Sequence, residues 1–315
     1  MKWMGSLVRT DLRAALKART RVGDGAMGTY LYQLGVPIGV SFEEYNLLNP
    51  ELIADVHRRY ISAGAEVIET NTFSAQRSKL ARFGLENKTE EINAAGVAIA
   101  RRAAGDQAYV VASVGSVKAG QRSDASDAEV RRDFEEQLGA LIAAGADGIL
   151  LETFTDFAEM SLAVSIVRKQ SDLPVICQFA VGDAARTHDG VPLPDAFARL
   201  AAGGADVIGF NCRSGPVGIL RALEELPGGL GMPLSAFPNA GLPEYVDGKV
   251  VYPASPDYFA TNARRFADAG VRLLGGCCGT TPEHIAAIAG ALKGYEPDAA
   301  PAADGAEPRE PERIE

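Results

Sequence analysis

At 315 residues, 47% hydrophobic and 23% charged, the chain has the composition of a globular protein able to bury a sizeable core, in one large domain or two small ones. A formal net charge of −10 argues against nucleic acid or an anionic membrane surface as partner. No apolar run approaches the roughly 20 residues that span a bilayer, and four cysteines, two of them adjacent, make no disulfide framework, so the expected compartment is a reducing cytoplasm.

Residues 1–20 carry Lys2, Arg9, Arg13 and Lys17, are interrupted by Asp11, and lack the long apolar core of an export signal. They are expected to form a leader segment or first helix. From Arg21 onward one unit recurs: a short run rich in Val, Ile and Leu, a polar or glycine-containing turn, then an amphipathic helix. The strand-like runs are Val22–Ala26, Ala65–Thr70, Tyr109–Gly115, Gly148–Thr153, Pro174–Ala180, Val207–Cys212, Leu234–Asn239 and Leu273–Cys278. Helices are expected to start after Asn49-Pro50, Thr89, Ser126, Thr155-Asp156, Leu193-Pro194, Gly215-Pro216, Ser255-Pro256 and Thr281-Pro282, several with a Ser or Thr cap and Pro in the first turn. Many of them close on an Ala-Gly pair (Ala63-Gly64, Ala144-Gly145, Ala202-Gly203, Ala269-Gly270), where glycine supplies the left-handed residue that stops a helix.

Eight strands alternating with eight helices, at spacings of roughly 30 to 40 residues, imply parallel strands joined by crossover helices. Eight units suit a single (β/α)8 TIM barrel over residues 21–293 better than an open doubly wound sheet. Residues 294–315 are dominated by Pro, Ala, Asp and Glu and cannot bury enough surface to order themselves; they are expected to be a disordered tail or a linker, in which case the chain is one piece of a longer protein.

In a barrel, side chains at the C-terminal ends of the strands face the active site. Those ends are unusually polar here: Asp24, then Glu69 to Thr72, Ser113 and Ser116, Glu152-Thr153, Asn211-Cys212, Asn239, and Cys277-Cys278. Three cysteines on one rim suit a soft metal such as zinc, with three thiolate ligands and an open fourth position. Cys212, Cys277 and Cys278 are therefore the metal-ligand candidates, whereas Cys177, mid-strand, reads as a small buried hydrophobe. A vicinal pair can also be a redox switch, although that reading leaves Cys212 unused. The three histidines are expected on the surface.

Zinc held by three thiolates is a poor Lewis acid for splitting water but keeps an added thiol deprotonated. The implied chemistry is attack by a small-molecule thiolate on an electrophilic carbon. Asp24 and Glu152 are placed to bind the α-ammonium of an amino-acid thiol, of which homocysteine is the natural candidate. Asn71 and Ser113 are further substrate-binding candidates, although Asn71 and Asn239 can equally close turns, and Asp24 and Glu152 can be caps or core ion pairs.

Taken together, Asp24-Gly25-Ala26-Met27-Gly28-Thr29, Glu69-Thr70-Asn71-Thr72-Phe73, Leu151-Glu152-Thr153, Gly209-Phe210-Asn211-Cys212, Pro238-Asn239-Ala240-Gly241 and Gly275 to Thr280 resemble the homocysteine S-methyltransferase family, zinc-dependent (β/α)8 barrels. The likeness runs from about Arg21 to Leu292. It implies a methyltransferase that passes a methyl group to zinc-bound homocysteine thiolate and makes methionine. Cys212, Cys277 and Cys278 match the family's zinc ligands, Asp24 and Glu152 its contacts to the amino group, and Asn239 a position that can fill the fourth zinc site before substrate arrives. Phe42-Glu43-Glu44-Tyr45-Asn46, Asn49-Pro50-Glu51 and Asn71-Thr72-Phe73 resemble most the homocysteine domain of cobalamin-dependent methionine synthase and of proteins that join such a domain to methylenetetrahydrofolate reductase. The expected donor is methylcobalamin, a corrinoid protein or a folate-linked partner. The sequence holds no Asp-x-His-x-x-Gly cobalamin-ligating motif, no reductase half and no folate domain, so that partner would be another protein or a missing segment. The alternatives are a small sulfonium or ammonium donor such as S-methylmethionine or betaine, and a non-catalytic zinc barrel that binds a thiol.

Overall fold

The computed structural model describes residues 10–119, 125–180, 185–226, 231–246 and 249–297; the outer parts of the expected leader and tail, 1–9 and 298–315, lie outside them. The first seven strands are β1 (Arg21–Val22), β2 (Val67–Glu69), β3 (Tyr109–Gly115), β4 (Gly148–Phe154), β5 (Val175–Phe179), β6 (Val207–Asn211) and β7 (Leu234–Phe237). They are followed by β8 (Glu244–Val246), β9 (Lys249–Val251) and β10 (Val271–Leu274). Eight of these form one parallel sheet in the order β1-β10-β7-β6-β5-β4-β3-β2. A parallel bridge from Gly23 to Val67 and the Glu66 N–H donated to Val22 O at 2.8 Å join its two edges. The expectation of a single (β/α)8 barrel holds.

The helices begin where the capping signals put them. Pro50–Ser62 follows Asn49, whose side chain accepts from the Leu52 N–H, and Asp127–Ala143 starts in a capping box between Ser126 and Glu129. Pro256–Asp268 is capped by Ser255, and Pro282–Leu292 by Thr281 with His284 in the third position. The stops need one correction. Gly64, Gly145 and Gly270 are left-handed as expected, but after Ala202 it is Gly204 (φ +105°) that turns, and Gly203 still ends the helix right-handed.

Strand alternation sorts the side chains into two shells. Ile68, Val110, Ala112, Val114, Ile149, Leu151, Val175, Cys177, Phe179, Ile208 and Phe210 face outward and pack under the helices. Val67, Tyr109, Val111, Leu150, Ile176, Val207, Phe237 and Leu273 face inward, and Leu12, Ala15 and Leu16 join them. Those three belong to the helix Leu12–Ala18, which closes the barrel at the end where the strands begin. The Tyr109 hydroxyl donates to Thr10 O at 2.7 Å, and Arg13 Nε reaches Asp206 Oδ1 at 2.6 Å. With one end plugged by apolar side chains, the polar strand ends line a cavity at the other.

Three observed strands stop two or more residues short of their expected C-terminal ends, which were put at Ala26, Asn239 and Cys278. The reason is that the next N–H groups bond across the rim: Gly276 to Asp24 O at 2.9 Å, Cys277 to Pro238 O at 2.8 Å and Asn239 to Ser214 O at 2.9 Å. The antiparallel pair β8–β9 was not expected, nor were the short helices Gly28–Gln33, Tyr45–Leu48 and Arg77–Leu80. Two histidines expected on the surface are buried: His57 is fully enclosed, with no partner among the described residues for either ring nitrogen, and His284 is bonded to Thr281 and Ala254. No helix among the described residues is long and apolar enough to cross a membrane.

Leu16 is completely buried in the plug. Leu16→Ala is expected to lower the free energy of unfolding by about 2–5 kcal/mol in denaturant titrations; an unchanged midpoint would mean that the helix is no part of the folded core.

Candidate metal and substrate site

Cys212 follows β6 and is fixed by its N–H donated to Phe237 O at 3.0 Å. It sits at φ +56° and Arg213 at φ +52°. With Thr153 at φ +60° these are the non-glycine residues found left-handed among the described residues, and all three lie at the rim. Such backbone is disfavoured and persists where surrounding bonds overdetermine it. Cys277 and Cys278 lie on the turn after β10. Cys277 O accepts from Thr280 N and Oγ1 at 3.1 and 2.7 Å, and Cys278 O accepts from Ala240 N at 2.9 Å. Gly279 must be glycine twice over: its φ is +80°, and a Cβ there would fall 2.1 Å from the Tyr252 ring.

These turns bring the three sulfurs together. Cys212 Sγ is 3.9 Å from Cys278 Sγ, Cys277 Sγ is 4.0 Å from Cys278 Sγ, and all three lie within 4.8 Å of one another. Thiolates about 2.3 Å from a tetrahedral zinc lie roughly 3.8 Å apart, so the donor set fits such an ion with little movement. Without metal, the Cys277 and Cys278 thiols donate to Cys212 and hold its pKa far below the ordinary thiol value. The same hydrogen bonds, with burial, raise Cys277 and push Cys278 up to about 12. A divalent cation bound there would displace the thiol protons. Cys177 takes no part: it lies in the outer shell, and burial raises its thiol.

Asn239 touches the cluster through its carboxamide, which hydrogen-bonds Cys212, while its Oδ1 is buried with no donor. The Tyr252 hydroxyl hydrogen-bonds Cys278, and burial first, then the nearby sulfurs, push it up to about 12.

Beside the thiols stand three carboxyl groups. Asp24 Oδ2 accepts the Glu69 N–H at 2.9 Å, whereas Oδ1 is buried without a partner among the described residues. Glu152 Oε1 accepts the Ser113 hydroxyl at 2.5 Å, and Oε2 accepts from Asn211 Nδ2 at 3.1 Å. Asn211 Nδ2 also lies 2.7 Å from Thr153 Oγ1 and 3.9 Å from Cys277 Sγ, which ties carboxyls to thiols. Burial pushes Glu152 up to about 7, against the pull of Ser113. Burial also raises Asp24 and Glu69 well above the usual carboxylate range, and repulsion from Glu152 adds to both. Among the described residues no Lys, Arg or His pairs with any of the three.

Both groups line one cavity of about 740 Å³, whose outer wall is built by Tyr32, Ile38, Phe42, Phe73, Phe83 and Val250. Of the residues singled out from sequence, Cys212, Cys277, Cys278, Asp24, Glu152, Asn71 and Ser113 all line it. Two of them face the protein rather than open space. Ser113 spends its hydroxyl on Glu152, and Asn71 donates to Phe42 O at 2.7 Å and Asn46 Oδ1 at 3.1 Å, pinning the segment that walls the cavity. Sequence reasoning left out of its site Glu69, Asn211 and Tyr252. The first two were visible as polar strand ends; Tyr252 carries no local signal.

Residues 21–292 match the family described as homocysteine S-methyltransferase. Methionine synthase of Mycobacterium leprae is 33% identical over 303 residues, which is 90% of this chain and 25% of that protein; methionine synthase of Mycobacterium tuberculosis is 33% identical over 306 residues, 91% and 26%. The chain thus spans about a quarter of the length of these relatives. Among solved structures, the metallated form of the homocysteine methyltransferase MmuM from Escherichia coli is 29% identical, with a TM-score of 0.77 over 89% of this chain and 99% of that one. A methyltransferase from Methanosarcina mazei, at 14% identity and a TM-score of 0.61, shares the fold.

The geometry predicts one metal ion per chain. Loading should withdraw three of the four cysteines from an alkylating reagent, with Cys177 unlabelled before and after. Cys212→Ser, Cys277→Ser or Cys278→Ser should each cost metal affinity more than the roughly 10–100-fold lost with a supporting hydrogen bond. Full retention of metal in any one variant would remove that residue from the ligand set.

Proposed function

The chain belongs to the homocysteine S-methyltransferase family, and from that footing we propose that it methylates the sulfur of homocysteine to give methionine. The observation that carries this reading is the pairing, in one cavity, of a three-thiol cluster with carboxyl groups that have no basic partner among the described residues. One half suits a metal that takes a fourth sulfur, and the other suits an ammonium group. An α-amino acid ending in a thiol satisfies both.

The metal is taken to be zinc, held by Cys212, Cys277 and Cys278, with Asn239 standing by as a weak fourth donor. When bound, it supplies the charge that keeps an added thiol ionised near neutral pH, where a free thiol of pKa about 8.5 is only a few per cent thiolate. The chain's own residues do the rest. Asp24 and Glu152 accept N–H bonds from the substrate ammonium, Asp24 through the oxygen that lacks a donor. Ser113 and Asn211 aim Glu152, and Asn71 braces the wall formed by Phe42 to Asn46. A tethered amino group restricts the sulfur to one approach, which is worth more than raw affinity. In the transfer a carbon–sulfur bond forms, the donor's bond to the methyl breaks, and the thiol proton leaves to solvent.

For the donor we favour methylcobalamin, a corrinoid protein or a folate-linked partner. Supporting this are the likeness to the methionine synthases and an outer wall too large and apolar for homocysteine alone. A second reading, a small sulfonium or ammonium donor, has its own support in the likeness to the MmuM homocysteine methyltransferase, 99% of whose chain is matched. A thiol-binding barrel without turnover is the reading of another class.

Zinc-loaded protein given homocysteine and free methylcobalamin should yield methionine, and Cys212→Ala should not. Methionine formed instead from S-methylmethionine or betaine alone would select the small donor, and homocysteine binding without turnover on any donor would select the non-catalytic module. Asp24→Asn should raise the KM for homocysteine by about 10–100-fold, the usual worth of a charged hydrogen bond; an unchanged KM would take Asp24 out of the amino-group pocket.

A further inference from the structure

The amino-group pocket contains one carboxyl more than an ammonium needs. Asp24 comes from the loop after β1, Glu69 from the end of β2 and Glu152 from β4. Glu69, Ser113 and Glu152 stand two residues beyond the inward-facing Val67, Val111 and Leu150, so they form the next inward layer above the apolar one. The three carboxyls differ in what the protein gives them. Glu152 receives a donor on each oxygen, from Ser113 and Asn211, and an Asn Nδ2 can only donate. Glu152 is therefore wired as an acceptor, the arrangement of an ionised group. Asp24 receives a backbone N–H. Among the described residues, the Glu69 carboxyl receives no donor from the protein; its hydrogen-bond partner is Glu152.

The charged and titratable groups facing Glu69 are Glu152 and Asp24, with Tyr60 behind them. Tyr60 gives its hydroxyl to Ala26 O and Thr280 O, so it has no proton to offer. Two carboxylates in contact do not both ionise without a cation between them, and one must keep a proton. Which one keeps it follows from the donors: the better-supplied Glu152 ionises, and the undonated Glu69 holds the proton.

We propose that Glu69 is a positioning residue that works as a neutral carboxylic acid, donating its proton to Glu152 so that the Glu152 carboxylate is fixed in place for the substrate amino group. Burial, and after it the proximity of Glu152 and Asp24, raises Glu69 well above the ordinary glutamate range, in keeping with this. With Glu69 neutral, Asp24 and Glu152 oppose the single ammonium, and the pocket avoids a third negative charge. No proton is consumed or released in the transfer by this pair. The amino-group half of the proposal rests on the homocysteine reading; the protonation half does not.

Two measurements test the halves separately. Infrared spectra of the zinc-loaded, ligand-free protein at neutral pH should contain the carbonyl stretch of a protonated carboxyl that Glu69→Gln removes. No difference between the two spectra overturns the proposal whatever the substrate proves to be. In kinetics, Glu69→Ala should raise the KM for homocysteine by about tenfold with kcat little changed. Glu69→Gln, which keeps a donor toward Glu152, should recover KM to within about threefold of wild type. If Gln is as damaging as Ala, Glu69 acts as an anion and the proposal fails. If the infrared band is present but neither homocysteine nor methionine binds in calorimetry, the homocysteine reading and the amino-group half fall together, and the neutral Glu69 stands as a property of the empty pocket.

Discussion

Six acidic groups, three thiols and three carboxyls, meet at one end of this barrel, and among the described residues no basic side chain pairs with them. Desolvation makes that arrangement unfavourable in the ionised state: burial holds Glu69 and Asp24 well above the usual carboxylate range, and hydrogen bonds to Cys212, with burial, raise the thiols of Cys277 and Cys278. That end of the pocket is in effect built for added cations. A divalent metal would displace the thiol protons and an ammonium the proton on Asp24, while Glu69 keeps its own; Asn211, in reach of both clusters, links the two events.

The fold supplies that concentration by geometry. Period-two alternation stacks an apolar layer from Val67 to Leu273 beneath a polar layer at the strand ends, and the helix Leu12–Ala18 seals the opposite mouth. Strand pairs approach closely where side chains would interfere. A Cβ on Gly209 would lie 1.9 Å from Ser235 O, so β6 and β7 can sit as they do only with glycine at that point. The sharp rim turns then carry the strain of the site at Thr153, Cys212 and Arg213.

Much of this was legible in the chain. Helix starts could be read because Asn49, Ser126, Ser255 and Thr281 are caps whose chemistry is local. Strands could be read from apolar runs, and the cysteine trio from their shared position at strand ends. Most of what escaped depends on contacts between distant segments. The first segment was read as a leader or first helix, but its role as a plug escaped, because Leu12 and Leu16 reveal their purpose only against Leu150 and Val207. The β8–β9 pair was passed over although Asp247-Gly248, between Tyr245-Val246 and Val250-Val251, is a hairpin signal in the sequence itself. Glu69 was seen as a polar strand end, but its burden, a third carboxyl with no donor, is visible only with Asp24 and Glu152 around it. His57 looked like any helix histidine, and its burial without partners has no precursor in the sequence.

The central claim is that three protein sulfurs hold a metal with one position left for the sulfur of the substrate. X-ray absorption at the zinc edge counts those sulfurs directly. The account predicts three sulfur neighbours in the ligand-free protein and four after homocysteine is added, with Cys212→Ser losing one. A sulfur count that homocysteine leaves unchanged, or fewer than three sulfurs at the start, would contradict it.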